Sequence, residues 1–191
     1  MFLRAWRGFM RRVRGQAFKF TAYAAARKLE VGRGLLLERG HWINFDGRAE
    51  SLRIGQDLNA RQNFRLMLST AARLKIGDGV FFNNGCSISC MKHIEIGDNC
   101  IFGEGVKLYD HNHLHAIGTN PYKYQGFTYG QIIIGNNVWV GSNVVILKGV
   151  EIGDNAVIGA GCVIHENVES NSMVRLGTSL VKTMKQTGLA R

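Results

Sequence analysis

Proline occurs only once in the 191 residues. A chain so poor in proline is neither a proline-rich linker nor a low-complexity disordered segment. Cysteine is also sparse. Cys86, Cys90, Cys100 and Cys162 lie in apolar, regular surroundings, which argues against a disulfide-stapled small fold. The C-x3-C spacing of Cys86 and Cys90 lacks the second pair that a structural zinc site would use. No run approaches the ~20 apolar residues of a membrane-spanning helix. The most apolar early run, "AFKFTAYAAA", is interrupted by Lys19 and follows arginines spread more widely than in a signal peptide, so a cytoplasmic protein is expected. Acids are missing from residues 1–29, where 8 of the 24 basic residues sit. The remaining 16 bases face 14 acids, so most of the net charge of +10 belongs to the N-terminal segment.

That segment has helical spacing. Phe2, Trp6, Phe9, Met10 and Val13 recur at steps of three and four, and Arg4, Arg7, Arg11 and Arg14 recur on another face. Two uses are open: a peripheral helix lying in a lipid headgroup layer, or a cap over one end of the core with its arginines in solvent. No nucleic-acid motif accompanies the charge, so no nucleic-acid partner is expected.

Glycine, by contrast, is plentiful, with 24 residues, and from about residue 52 it is part of a repeat. Ile134, Val140, Ile146, Ile152, Ile158 and Ile164 are six apart; so are Val138, Val144, Val150, Ala156, Cys162 and Val168. "IGDGVF", "IGDNCI" and "FGEGVK" repeat the unit earlier. A short fixed period implies a solenoid. Each hexad is a short strand and a corner, with the aliphatic and the small residue inward and Gly, Asn or Asp at the turn. Three hexads close one triangular coil, and coils stack at ~4.8 Å. The expected fold is an all-β solenoid with a helical segment over residues 1–40, repeats over 41–182 and a tail over 183–191.

The pattern fails between Leu108 and Gln131, where "YDHNHLHAIGTNPYKYQGFTYG" holds the lone proline. A loop extruded over about 109–131 is expected, and long loops in compact domains usually carry function. His111, His113 and His115 alternate at its base, so an extended backbone would put all three on one face.

With "LYDHNH", this loop, "VWVGSNV" and "FFNNGCSI", the chain resembles the hexapeptide-repeat acyltransferases, most closely their maltose, galactoside and surface-polysaccharide O-acetyltransferase branch. The resemblance covers about residues 52–182. It implies a left-handed parallel β-helix, a homotrimer, acetyl-CoA as acyl donor in a groove between subunits, and a carbohydrate acceptor. By resemblance His111 falls at the general base, and Asn83 lines the acceptor site. Trp139 flanks the thioester, Gly141 and Ser142 lie near the reacting carbonyl, Ala160 and Gly161 follow the pantetheine, and Lys182 and Lys185 are candidate phosphate contacts. The chain departs from relatives in having His165 and Glu166 where Thr-Lys is common, and in lacking a proline after Gly177.

The chemistry fits these residue types. A hydroxyl attacking a thioester must lose its proton, a task suited to a histidine oriented through its other ring nitrogen. A backbone carbonyl, Asp110 or a residue of the next coil could orient it. The oxyanion needs donors, such as the Gly141–Ser142 backbone or the Ser142 hydroxyl. No cysteine stands in a nucleophile context, so direct transfer is expected. Asp110, His113, Tyr122 and Tyr124 are candidate substrate contacts. N-acylation of an amino-sugar nucleotide, a metal-dependent hydratase and a non-catalytic trimeric scaffold are the alternatives on the same fold.

Overall fold

The computed structural model describes residues 2–118, 120–177 and 182–183, with side chains from Gly8 to Gly177 apart from Thr119. A single helix, α1 (Phe2–Ala25), precedes a parallel β-solenoid of about six turns that matches a left-handed β-helix.

Three sheets form the faces. The first stacks Ala26–Val31, Ala49–Ile54, Arg73–Ile76, His93–Ile96, Ile132–Ile134 and Glu151–Ile152 in that order. The second runs from Leu36–Leu37 through Phe81–Phe82 and Trp139–Val140 to Ser172–Val174, where Lys182–Thr183 adds an antiparallel last strand. The third runs from Trp42–Asp46 through Lys107–Tyr109 to Val163–Ile164. Every pairing between coils is parallel, and like residues stack: Ile54 on Ile76, Ile96 on Ile134, Ile134 on Ile152.

Both hexad columns point inward. Ile134, Val138, Val140, Val144, Ile146 and Val150 are all buried, as are their equivalents in the next coil. Phe82 stacks on Phe102 with ring centroids 4.6 Å apart, and Phe64 lies 5.0 Å from Phe82 on its other side. Each such side chain contributes roughly 1.5–3 kcal/mol through burial. At the corners, Asn99, Asn137 and Asn155 take the left-handed conformation with φ of 57°, 53° and 58°. Their neighbours form a polar ladder from coil to coil, such as Asp78 N to Asp98 Oδ1 at 2.8 Å and Asp98 N to Asn136 Oδ1 at 2.9 Å.

The solenoid starts earlier than its sequence repeat. α1 ends at Ala25 and the first coil begins at Ala26, so residues 26–40 are coil rather than helical segment. The first coils have longer strands, such as Ala26–Val31 and Ala49–Ile54, which hide the six-residue period.

α1 closes the N-terminal end of the core. Phe18 and Ala22 are buried, and Gly15 lets the helix approach so closely that a Cβ there would lie 2.5 Å from the Leu35 carbonyl oxygen. Lys19 Nζ donates to the Gly32 carbonyl at 2.9 Å. The cap reading puts Arg11 in solvent with the other arginines, but it turns toward the coil. It donates to Asn59 Oδ1 at 2.5 Å and sits 3.6 Å from Glu38 Oε1.

Candidate active site

The loop emerges at the corner between the third and first sheets. It is a hairpin: His111–His113 pairs antiparallel with Phe127–Tyr129, and a 3-10 turn covers Tyr122–Tyr124 nearer the tip. The Gly130 N–H donates to the Asp110 carbonyl at 2.9 Å and closes the base. Gln125 holds the tip together, accepting from the Ala116 N–H and donating to the Ala116 and Asn120 carbonyls.

At that base, Asp110 and His111 form a pair. His111 Nδ1 lies 3.0 Å from Asp110 Oδ1. Asp110 is 0% exposed, and it also accepts from three backbone N–H groups one coil below: Met91 at 2.9 Å, Lys92 at 2.7 Å and His93 at 2.8 Å. Burial alone would push this carboxyl up, but the His111 bond and the three amides outweigh it and hold the carboxyl below its ordinary value. Asp110 is therefore a carboxylate and can only accept, so Nδ1 carries the proton. Nε2 is left as the basic nitrogen, on a side chain 13% exposed.

This corrects one expectation and answers another. Asp110 does not reach a substrate, because its oxygens are enclosed and fully engaged. It is instead the group that orients His111. Phe127 packs edge-on to His111 at 5.5 Å and tilted against His113 at 4.4 Å, which fixes the imidazole from the side. His113 is exposed, as are Tyr122 and Tyr124 on the turn. His115 Nδ1 sits 3.3 Å from the His113 carbonyl. The three histidines thus take three different partners, and among the described residues no group of three His, Cys, Asp or Glu side chains is arranged to hold a metal.

The other expected residues lie along a different edge. Asn83, Gly141, Ser142, Ala160 and Gly161 stack at the corner between the second and third sheets, linked by bonds such as Asn83 N to the Phe102 carbonyl and Gly161 N to the Ser142 carbonyl. Asn83 Oδ1 accepts from the Asn84 N–H at 2.9 Å and from Arg61 Nη1 at 3.3 Å. Trp139 is 56% exposed beside this edge, in register with the half-exposed Ile101 and with Phe81 below it. The Gly141 N–H donates to the Ile158 carbonyl at 2.7 Å, so it is not a free donor for an oxyanion, and Ser142 is the remaining candidate. Lys182 pairs by its backbone with Met173; its side chain and all of Lys185 lie outside the described residues.

Within one chain the two halves do not meet. His111 stands at one corner of the triangle and Asn83 with Trp139 at another, with the third sheet between them. The amides of Met91, Lys92 and His93 and the packing of Phe127 escaped the sequence reading. One signal was present: Leu108 is inward and strand residues alternate, so Asp110 is inward too.

Residues 131–166 match the bacterial transferase hexapeptide (six repeats). Over 79 residues the chain is 36% identical to nodulation protein L of Rhizobium leguminosarum bv. viciae, an overlap of 40% of this chain and 40% of that relative. The matched part is thus less than half of the relative's length. The hexapeptide-repeat-containing acetyltransferase of Vibrio cholerae superposes with a TM-score of 0.59 at 25% identity, covering 70% of this chain and 72% of that one. An N-acyltransferase from Bacillus cereus, solved with dTDP and coenzyme A, superposes with a TM-score of 0.65 at 18% identity over 86% of both chains. By its repeat and its coils, the chain is similar to the hexapeptide-repeat proteins, bacterial acetyltransferases among them, over the residues that match.

Proposed function

We propose that the protein is an acetyl-CoA-dependent O-acetyltransferase that acylates a sugar hydroxyl, of a surface polysaccharide or its precursor, by direct transfer. The buried Asp110–His111 pair carries this reading. It leaves one basic nitrogen, Nε2, at the rim of a hairpin rich in exposed tyrosine. Nε2 takes the proton of the acceptor hydroxyl as its oxygen attacks the thioester carbonyl. The resulting oxyanion is met by Ser142. Collapse breaks the carbon–sulfur bond, the sugar ester remains, and the thiolate leaves with the proton held on Nε2.

The reading needs a second copy of the chain, and we propose a homotrimer. The corner carrying His111 in one copy would face the Asn83–Trp139 edge of the next, completing a site that one chain leaves in halves. The Phe81–Ile101–Trp139 ladder gives such an edge an apolar surface to cover. An amine acceptor on an amino-sugar nucleotide would use the same Nε2.

The test is calorimetric titration with acetyl-CoA, run beside Trp139→Ala, followed by a panel of hydroxyl and amine acceptors read by thiol release. Micromolar binding weakened by the substitution, with release on sugar hydroxyls alone, is expected. Release on amines alone would move the assignment to N-acylation. No binding by the folded protein would remove the transferase reading and leave a scaffold or a metal-dependent hydratase.

A further inference from the structure

α1 uses one face to close the core and presents another to solvent. The core side holds Arg11, Gly15, Phe18 and Ala22. The opposite side exposes Val13, Phe20 and Tyr23 at 42%, 85% and 78%. An aromatic residue exposed to that extent beside a second one contributes nothing to the fold described above, and it is the sort of surface that takes a partner. The surrounding charge is of one sign: Arg12 and Arg14 share the helix, Arg27 and Lys28 follow it, and no acid occurs before Glu30. Of these, Arg27 is shared with Glu50 at 4.0 Å.

From this we infer that the outer face of α1 docks the protein onto an anionic bilayer surface. A protein partner could cover an apolar stripe, but it would need a matching run of acids. A bilayer containing anionic lipid supplies both the apolar layer for Phe20 and Tyr23 and the negative charge for Arg12 and Arg14. Tyrosine suits the headgroup depth, with its ring in the apolar layer and its hydroxyl in water. α1 is not a spanning helix; no helix of the described residues is long and apolar enough to cross a membrane. It lies across the end of the solenoid, so the coils would stand away from the membrane. In a parallel trimer three such helices would share one end and bind together, multiplying a weak single contact.

The experiment uses the full chain, sedimented with vesicles of phosphatidylcholine alone and of phosphatidylcholine mixed with phosphatidylglycerol. The expected result is co-sedimentation with the anionic vesicles only, reversed by high salt. A Phe20→Ser, Tyr23→Ser double variant should lower the bound fraction about tenfold, and Arg12→Glu should lower it as well, with melting temperature and oligomeric state unchanged. Because these side chains lie outside the core, loss of binding with an intact fold supports the docking face. Wild-type protein that stays in the supernatant with both vesicle types overturns the proposal, and so does a double variant that binds as well as wild type. A double variant that dissociates into smaller species, from a wild type that ignores vesicles, would assign the stripe to contact between copies and overturn it too. Acetyl transfer to soluble acceptors is a separate readout, unaffected by either result.

Discussion

Asp110 accepts at once from the His111 ring and from three backbone amides of the coil beneath, so a single buried carboxylate joins the base of the hairpin to the stack. The carboxylate fixes the tautomer of the imidazole, and the stack fixes the carboxylate. His111 is thereby tied to the stacked coils although it stands at the start of a long loop.

If Nε2 is the base, His111→Ala should lower kcat by roughly 10²–10⁴-fold. Acetyl-CoA affinity by calorimetry should be nearly unchanged, since in this reading the histidine meets the acceptor hydroxyl and Trp139 flanks the donor. A variant with full activity would leave the histidine as a loop anchor.

Asp110→Asn should cost about 1–3 kcal/mol of stability, because an amide cannot accept from all four donors. The sign of the pH dependence follows from the lowered carboxyl. A group whose folded value lies below its unfolded value stabilises above the unfolded value, near ~3.9 for aspartate, and that contribution fades as pH falls through the folded value. Urea midpoints of wild type and variant should differ near neutral pH and converge under strong acid. A gap independent of pH would mean that shape, not charge, is what the site needs.

Gly15→Val tests the cap. The added Cβ would lie 2.5 Å from the Leu35 carbonyl oxygen, on backbone that cannot turn aside. The helix must shift, at a cost of roughly 1–3 kcal/mol. A thermal melt should show the drop, whereas Gly8→Val, where a Cβ would meet nothing, should leave the midpoint in place.

The four cysteines should be inert in the native state. All are buried, and burial pushes the Cys86 and Cys100 thiols up to about 11 and raises Cys90 and Cys162 as well. Titration with a disulfide reagent should be slow in buffer and complete in urea. A fast native thiol would reopen a covalent acyl intermediate.

Much of this was legible beforehand, for a reason visible in the coils. Ile134, Val140 and Ile146 each meet the same neighbour one turn later, so a fixed spacing in sequence becomes a column in space. Where the strands lengthen, as in Trp42–Asp46 and Ala49–Ile54, the spacing drifts and the first coil goes unseen. Asp110 and His111 were legible as neighbours in the sequence, but their bonds were not. Met91 and His93 lie many residues before Asp110 and meet it only because one corner sits above another. His111 and Asn83 share no local pattern, and the order of the three sheets puts them at different corners.

The hairpin interrupts the sequence without disturbing the stacking. Ile94 pairs directly with Ile132, Leu108 with Ile146, and Gly130 returns to within one hydrogen bond of Asp110. The coils do not register how long the excursion is. The hairpin can therefore be exchanged like a cassette, lengthened or recut between Asp110 and Gly130, while the chassis keeps its geometry. A chimaera that keeps Asp110, His111, Phe127 and Gly130 and exchanges the hairpin tip between them would test, on the proposed reading, whether acceptor preference moves with the tip while the frame stays unaltered.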